Sequence, residues 1–218
     1  MIPPEARRAF ILENTTLEAP PHTPELRLHV ASEITPIWKM TEEALEEMGL
    51  PPPFWAFAWA GGQALARYVL DHPEVVAGKG LIYFASGSGI VGVAAKTAGA
   101  ARVLAADIDP FCEAATALNA QANGVTLEFT DANLLDAPAP AWAEVILAGD
   151  ICYEKPLAER VLAWLGEARG RGATVLIGDP GRSYFPRQGL EKLAEYQVPT
   201  TRELEDMEVK KTAVWALP

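Results

Sequence analysis

The chain has 218 residues, of which 50% are hydrophobic and 22% are charged, a composition typical of a globular protein rather than a disordered one. This length fits one domain, in which residues 1–62 form an N-terminal extension with an aromatic segment and residues 63–218 form the core. The formal net charge of −11 argues against a nucleic-acid partner, since binding to phosphates needs a basic surface. The sequence has neither an apolar run of about 20 residues nor the apolar core of a signal peptide, so we expect a cytoplasmic protein without a membrane partner.

The first 70 residues predict short elements around a proline-rich stretch. Residues 5–18 are expected to form a helix that ends before the prolines of residues 20–24, and residues 26–34 alternate as in a small strand. Residues 41–49 carry the start and stop signals of a second helix. Residues 62–70 are apolar at helical spacing and predict a third.

From residue 80 onward the sequence alternates between strand and helix patterns. Strands are predicted at residues 80–84, 102–106, 125–129, 144–148 and 173–177, and helices at residues 90–98, 110–123, 156–169 and 188–196. Two further strands, near residues 199–205 and 210–216, are close enough in sequence to pair antiparallel. This order predicts an α/β fold with a Rossmann-like, doubly wound sheet of seven strands, mostly parallel, with an antiparallel hairpin at its C-terminal edge.

A glycine-rich turn follows the first strand of this series. Gly87-Ser88-Gly89-Ile90-Val91-Gly92 satisfies the pattern G-x-G-x-x-G at the start of a helix, where a ligand can approach backbone amides closely. Asp107 ends the next strand, where a carboxylate can accept hydrogen bonds from both ribose hydroxyls. Together these features predict a nucleoside-type cofactor, and the alternative is a purely structural glycine turn.

The pattern alone leaves the identity of the cofactor open. The Tyr-x-x-x-Lys pair of a short-chain dehydrogenase is absent from the sequence, but a nicotinamide-dependent oxidoreductase remains an alternative at this point. An adenine edge needs a partner after the third strand, where Asp131 and Asn133 offer a carboxylate and an amide. For Asp131 a solvated turn is an equally good interpretation.

Asp150 and Tyr153 follow the strand at residues 144–148, and reactive centres of open α/β sheets lie beyond the carboxyl ends of the strands. An acid and an aromatic hydroxyl suit a lysine: Asp150 can hold the ammonium, and Tyr153 can form a channel wall and a cation–π face. The alternative for Asp150 is the N-cap of the helix at residues 156–169.

Separate motifs in the chain resemble, in the same order, those of the electron-transfer-flavoprotein β-subunit lysine methyltransferases, within the seven-strand protein-lysine methyltransferases. The resemblance runs from about residue 22 to the C-terminus. The motifs are the aromatic segment Pro53-Phe54-Trp55-Ala56-Phe57-Ala58-Trp59-Ala60-Gly61-Gly62, then Ser86-Gly87-Ser88-Gly89, Asp107-Ile108-Asp109-Pro110, Gly149-Asp150-Ile151-Cys152-Tyr153, Leu176-Ile177-Gly178-Asp179-Pro180-Gly181-Arg182 and Val214-Trp215.

This resemblance implies S-adenosylmethionine as the cofactor and a monomer that acts on a protein, with the electron transfer flavoprotein β subunit expected and a ribosomal protein as the other possible substrate. The family's Asp-x-x-Tyr signature maps onto Asp150 and Tyr153. The resemblance also implies cofactor contacts from Trp59, from the turn Gly87-Ser88-Gly89 and from Asp107. We expect Ile108, Asp131 and Asn133 to belong to the same cofactor site. Asp179 and Arg182 belong to a family-typical loop that either docks substrate or forms a structural salt bridge.

A lysine must be neutral to accept a methyl group, whereas free lysine has a pKa of about 10.4. A positive sulfonium and desolvation lower this pKa, and a carboxylate raises it. We therefore hypothesise that Asp150 captures and orients the amine, which loses its proton to water.

The first-strand motif departs from the family pattern of aspartate, an apolar residue and glycine, because Tyr83, Phe84 and Ala85 occupy those positions. Tyr83 removes a carboxylate that helps to anchor the cofactor's amino group, so a binding protein with weakened catalysis is a further alternative. The three histidines and two cysteines show no ligand or disulfide spacing, so we predict no metal site and free thiols.

Overall fold

The computed structural model describes residues 3–32, 35, 37, 40, 47, 50, 52–186 and 188–218. The helix predicted at residues 41–49 lies almost wholly outside the described residues. Nine strands are described: β1 Thr16–Glu18, β2 Leu28–Val30, β3 Gly80–Phe84, β4 Arg102–Ala106, β5 Glu128–Thr130, β6 Val145–Gly149, β7 Thr174–Asp179, β8 Glu191–Pro199 and β9 Val209–Ala216. The described α-helices are α1 Pro4–Asn14, α2 Ala60–Asp71, α3 Ile90–Thr97, α4 Pro110–Ala122, α5 Lys155–Gly170 and α6 Arg202–Glu205.

Seven of these strands form one sheet in the order β5-β4-β3-β6-β7-β9-β8. Strands β3 to β7 are parallel, and β9 runs antiparallel to both β7 and β8. The predicted fold class is therefore confirmed, including the antiparallel hairpin at the edge. No helix among the described residues is long and apolar enough to cross a membrane.

The prediction placed one strand of that hairpin wrongly. Residues 188–196 were expected to be helical, yet most of them belong to β8, and residues 199–205, expected as a strand, contain α6. Leu, Glu, Lys and Ala dominate residues 190–195 and favour helices, but pairing with β9 overrides that propensity. The missed signal is the alternation of Ala194, Tyr196 and Val198, which are less exposed than their neighbours.

The N-terminal helix is shorter than predicted. It ends at Asn14, and Thr16–Glu18 pairs antiparallel with Leu28–Val30 instead of continuing the helix. At this end Asn14 Nδ2 donates to the Phe10 carbonyl and Thr15 Oγ1 donates to the Ile11 carbonyl, so side chains satisfy the last turn.

Alternate residues of the central strands pack on the two faces of the sheet. On β3, Leu81 and Tyr83 join a core with residues of α2 and α3, whereas Ile82 and Phe84 join a core with residues of α5. Fully apolar strands covered on both faces are typical of parallel sheets. This covering leaves the carboxyl ends of the strands as the accessible edge.

Candidate active site

A cleft of about 360 Å³ opens at the carboxyl ends of β3, β4 and β6. It lies where the strand order reverses, between β3 and β6, which is where open α/β sheets bind ligands. Its volume lies in the range of a small-molecule site. Loops after each strand and the segment before α2 supply its lining residues: Phe54, Trp59, Phe84, Ala85, Gly87, Ala106, Asp107, Ile108, Asp109, Cys112, Ala132, Asn133, Leu134, Leu135, Gly149, Asp150, Ile151, Tyr153, Leu157 and Arg182.

The glycine turn forms one wall of the cleft. Gly87 has a φ of 49°, and a Cβ there would meet only the Phe54 carbonyl oxygen, at 3.8 Å, so the backbone stays open toward the cleft. Asp107 Oδ2 accepts a hydrogen bond of 2.9 Å from the Gly87 amide, and Oδ1 accepts one of 3.0 Å from the Asp109 amide. Ile108 beside it is 71% exposed. An open turn, a fixed carboxylate and an apolar side chain suit the ribose and base of a nucleoside.

Seven of the ten predicted site residues line this one cleft: Trp59, Gly87, Asp107, Ile108, Asn133, Asp150 and Tyr153. Ser88, Gly89 and Asp131 are not among its described lining residues. Gly89 packs closely against α4 instead, because a Cβ there would lie 2.9 Å from Thr116 Oγ1. Asp131 is exposed in the loop that follows β5.

A close approach of glycines brings the start of α2 against the ends of β6 and β7. A Cβ on Gly61 would collide with the Gly178 carbonyl oxygen and lie 2.6 Å from Asp150 Oδ2. Because Gly61 and Gly62 have no side chains, the Gly62 amide can approach and donate a 2.9 Å hydrogen bond to Asp150 Oδ2. Asp150 is therefore bonded to an amide in the first turn of α2. The alternative that Asp150 caps the next helix is wrong, since the N-cap position of α5 is Glu154.

Asp150 also belongs to a buried ionic network. Arg182 donates to Asp150 Oδ1 through Nε at 3.1 Å and through Nη2 at 2.6 Å. The same guanidinium donates to Glu205 of α6 at 3.0 Å and 2.7 Å. Lys210 Nζ lies 3.6 Å from the second oxygen of Glu205. Of the two roles expected for Arg182, the salt bridge is the one that the geometry shows, and its partners are Asp150 and Glu205.

Burial dominates the electrostatics of this network. It raises the pKa of the Asp150 carboxyl, an effect that Arg182 opposes and that Glu205 reinforces. Burial also raises the pKa of Asp179 to about 7, although the Gly181 and Arg182 amides donate to its Oδ1. The Oδ2 atom of Asp179 is buried without a described partner.

Three aromatic rings border the cleft beside the network. Phe54 lies with its ring centroid 5.9 Å from that of Trp59 and 6.0 Å from that of Tyr153. Trp59 Nε1 donates to the Phe54 carbonyl, and the Arg182 guanidinium lies 5.6 Å from the Trp59 ring centroid. Phe54 and Tyr153 are 48% and 45% exposed, so this border presents an aromatic surface to an incoming substrate.

Tyr83, the departure from the family motif, is only 3% exposed and packs in the core rather than lining the cleft. Burial raises its pKa, and so do the charges of Asp150 and Asp107 on either side. Ala85 does line the cleft, with a φ of 51° that an alanine adopts at a cost. Burial likewise raises the pKa of the Cys152 thiol to about 12, which argues against a nucleophilic role.

Reasoning from the sequence does not identify two residues of this site, Glu205 and Phe54. Glu205 had been assigned to a strand, and no motif links it to Asp150. Phe54 belongs to the aromatic motif, but the sequence does not distinguish it from the other aromatic residues there. The approach of a helix start to strand ends could have been inferred from the glycine pairs at residues 61–62 and at 149 and 178.

Comparisons with known proteins identify the class. Residues 63–155 match the family model described as Ribosomal protein L11 methyltransferase (PrmA). The solved structure of magnesium protoporphyrin IX methyltransferase from Synechocystis PCC 6803 with bound SAM superposes with a TM-score of 0.52 at 12% identity, covering 72% of this chain and 80% of that one. That likeness shows the fold. The fold and the cleft thus define a protein of the Rossmann-like class, and the family match indicates a methyltransferase.

Relatives over nearly the whole length identify the family. The electron transfer flavoprotein beta subunit lysine methyltransferase of Danio rerio is 37% identical over 213 residues, covering 94% of this chain and 81% of the relative. The Homo sapiens protein of the same name is 37% identical over 215 residues, covering 95% of this chain and 80% of the relative. The chain belongs to the electron transfer flavoprotein β-subunit lysine methyltransferase family. The nicotinamide-dependent alternative is therefore set aside.

Proposed function

We propose that this protein is an S-adenosylmethionine-dependent protein-lysine N-methyltransferase that acts on the electron transfer flavoprotein β subunit. The observation that carries the proposal is that Asp150 and Tyr153 line the same cleft as Gly87 and Asp107. A lysine held by the first pair and a nucleoside held by the second would meet inside one cavity.

The residues present fit the cofactor. Gly87 leaves room for its amino-acid part, the Asp107 carboxylate accepts from ribose hydroxyls, and Ile108 and Asn133 lie where the base would rest. Trp59 borders the same space. Ser88, Gly89 and Asp131 belong to the loops that carry Gly87 and Asn133 but are not among the described lining residues of the cleft. When bound, S-adenosylmethionine supplies an electrophilic methyl group on a positively charged sulfur.

The chain's own contribution is to bind and orient the amine. Asp150 accepts a hydrogen bond from the lysine nitrogen, while Tyr153 and Phe54 contact its methylene groups. The amine loses a proton to water before it acts as a nucleophile. Since such a displacement depends mostly on alignment, positioning of the amine is the main catalytic contribution of the protein.

The choice of substrate follows the names of the relatives. Six curated relatives from animals carry the electron transfer flavoprotein name, at 31% to 37% identity. The match of residues 63–155 to a ribosomal protein L11 methyltransferase family covers a shorter part of the chain, so the ribosomal protein is the second candidate.

The proposal is tested by incubating the protein with methyl-labelled S-adenosylmethionine and either purified electron transfer flavoprotein β subunit or ribosomal protein L11. We expect label on a lysine of the β subunit, located by mass spectrometry of its peptides. The matched control is β subunit whose lysines have been exhaustively methylated by chemical means, which should accept no label. Label on L11 alone would contradict the proposal and indicate that the ribosomal protein is the substrate. Binding of S-adenosylmethionine without transfer to either protein would favour the alternative of a binding protein with weakened catalysis.

A further inference from the structure

Asp150 has little hydrogen-bonding capacity left for a substrate. A carboxylate offers about four acceptor positions. Among the described residues, Arg182 Nε and Nη2 occupy two on Oδ1, and the Gly62 amide occupies one on Oδ2. The side chain of Asp150 is only 12% exposed. A lysine nitrogen in the cleft can therefore donate about one hydrogen bond to it.

The charge of Asp150 is also compensated from nearby. Arg182 lines the cleft, so an amine that reaches Asp150 meets the guanidinium as well. The titratable or charged groups that interact with this pair come from several elements: Tyr83 on β3, Cys152 after β6, Asp179 at the end of β7 and Glu205 on α6. Asp107 and Tyr153 line the same cleft, and Lys210 on β9 lies beside Glu205. Of these groups, all within the described part of the chain, only Glu205 forms an ion pair with Arg182 in addition to that of Asp150.

We propose that Arg182 is a positioning residue that makes Asp150 select the neutral form of the substrate amine. This inference rests on the proposed function and extends it. An ammonium ion binds well to a carboxylate whose negative charge is not already paired, but Arg182 already pairs with the charge of Asp150. A neutral amine needs one acceptor for one N–H, and Asp150 provides it while leaving the nitrogen lone pair free.

The proton balance is simple. The ammonium of the free substrate gives one proton to solvent water as it enters the cleft, and no group of the protein has to keep it. The lone pair that this exposes would form the new nitrogen–carbon bond while the sulfur–carbon bond of bound S-adenosylmethionine breaks, so that S-adenosylhomocysteine leaves and the positive charge ends on the methylated nitrogen. Arg182 contributes by raising the cost of keeping that proton, because a like charge nearby disfavours the ammonium.

Glu205 offers a way to change this effect from outside the cleft. Its side chain is 1% exposed, both oxygens bond to Arg182, and it is not among the described lining residues. Removing its charge leaves Arg182 less neutralised and the amine more easily deprotonated. Removing the charge of Arg182 has the opposite effect.

The test is the pH profile of methyl transfer to the β subunit by Arg182→Gln and Glu205→Gln. We expect the rising limb of kcat to move by about one pH unit toward alkaline pH in Arg182→Gln. In Glu205→Gln it should move toward acid pH by a smaller amount. The controls are Arg102→Gln and Glu195→Gln, which remove equal charges from exposed ion pairs and should leave the profile unchanged.

A binding measurement gives a readout without turnover. Calorimetry of β-subunit binding in two buffers of different ionisation enthalpy counts the protons released, with S-adenosylhomocysteine present so that no transfer occurs. We expect the number released to fall in the order Glu205→Gln, wild type, Arg182→Gln. If Arg182→Gln fails to fold, the double variant Arg182→Gln/Glu205→Gln, which leaves no unpaired Glu205 charge, should still show an alkaline shift, smaller than that expected for Arg182→Gln alone because the Glu205 change opposes it.

Opposite shifts from two variants of one network would support the inference, since a merely structural role lowers activity at every pH alike. Shifts in the same direction, or none, together with unchanged proton release would overturn it and leave the proposed function intact. No transfer by the wild type to any protein would instead overturn the proposed function and this inference with it.

Discussion

Two carboxylates of the cleft, Asp107 and Asp150, each follow a parallel strand but are held in different ways. Two backbone amides within 20 residues of it in sequence hold Asp107. A guanidinium 32 residues away and an amide 88 residues away hold Asp150. Neutral donors orient the first carboxylate without cancelling its charge, whereas Arg182 compensates the charge of the second.

The difference shows how one sheet edge can give two similar side chains separate tasks. An uncompensated carboxylate binds strongly to hydroxyl groups and to cations, which suits the holding of a cofactor. A compensated carboxylate with about one free acceptor position favours a neutral donor, which suits a nucleophilic amine. Environment rather than residue type assigns the role, as in enzymes whose paired acids have different functions.

The largest effect should come from replacing each carboxylate in turn by the neutral amide. Asp150→Asn should lower kcat by about 100-fold, because the amine loses its positioning acceptor, and should leave the cofactor Kd nearly unchanged. Asparagine is preferred to alanine since Asp150 has a φ of 57°, a left-handed conformation that asparagine tolerates. Asp107→Asn should weaken the cofactor Kd by about tenfold and leave kcat at saturation nearly unchanged.

Calorimetry with S-adenosylmethionine and single-turnover transfer measure the two quantities separately. Circular dichroism of both variants serves as the control for folding. Wild-type turnover by Asp150→Asn, or equal losses of cofactor binding in both variants, would show that the division of tasks does not exist.

A carboxylate at position 83, which lies near both Asp107 and Asp150, tests how the two acids differ in cofactor binding. Tyr83→Asp should lower the free energy of unfolding by about 3 kcal/mol, because it empties a buried aromatic site. It should also tighten the cofactor Kd, since negative charge returns beside a cation-bearing ligand. Denaturant titration and calorimetry measure the two effects, and Tyr83→Phe, which keeps the ring, is the matched control. An unchanged or weaker Kd would mean that this chain anchors the amino group by other means.

The half of the site around Asp107 could be predicted from the sequence because its interactions are local. The glycine turn, the strand ends and the acid follow one another in sequence, and each has a known geometric role. Ser88, Gly89 and Asp131 belong to the right turns but are not among the described residues that line the cleft. The packing around a turn decides which of its residues border the cleft, as the close contact of Gly89 with Thr116 shows. The spacing of the glycines in the sequence does not determine that packing.

The half around Asp150 could be predicted only in part. The acid and Tyr153 follow from the signature, but Glu205 reaches Arg182 only because β8 and β9 pair at the edge and return α6 to the cleft. Since the composition of residues 188–196 favours a helix, the sequence predicts a helix where the structure has strand β8. The network depends on a long-range arrangement that local propensity does not determine.

Asp179, which lies beside Asp150 and Arg182, allows the free-energy cost of burying a carboxylate in this part of the site to be measured. Because its folded pKa is raised from 3.8 to about 7, the folded state holds a proton that the unfolded chain releases. The contribution of Asp179 to the free energy of unfolding is therefore fully present below pH 4 and is lost as the pH rises through 7. Asp179→Asn should be more stable than the wild type by about 2 kcal/mol at pH 8, with the difference vanishing near pH 4. Urea unfolding at a series of pH values measures this, and a constant difference would contradict the raised pKa.

The smallest expected effect concerns the strained backbone on the Asp107 side. Ala85 has a φ of 51°, which glycine adopts without steric cost, so Ala85→Gly should raise the free energy of unfolding by about 0.5 kcal/mol after the entropy of the added freedom is counted. Ala137, an exposed alanine with a φ of −146°, is the matched control, and Ala137→Gly should lower the stability instead. Denaturant midpoints at constant m measure both. If Ala85→Gly destabilises as much as Ala137→Gly does, the left-handed turn carries no strain, and the strain in this cleft lies with Asp150.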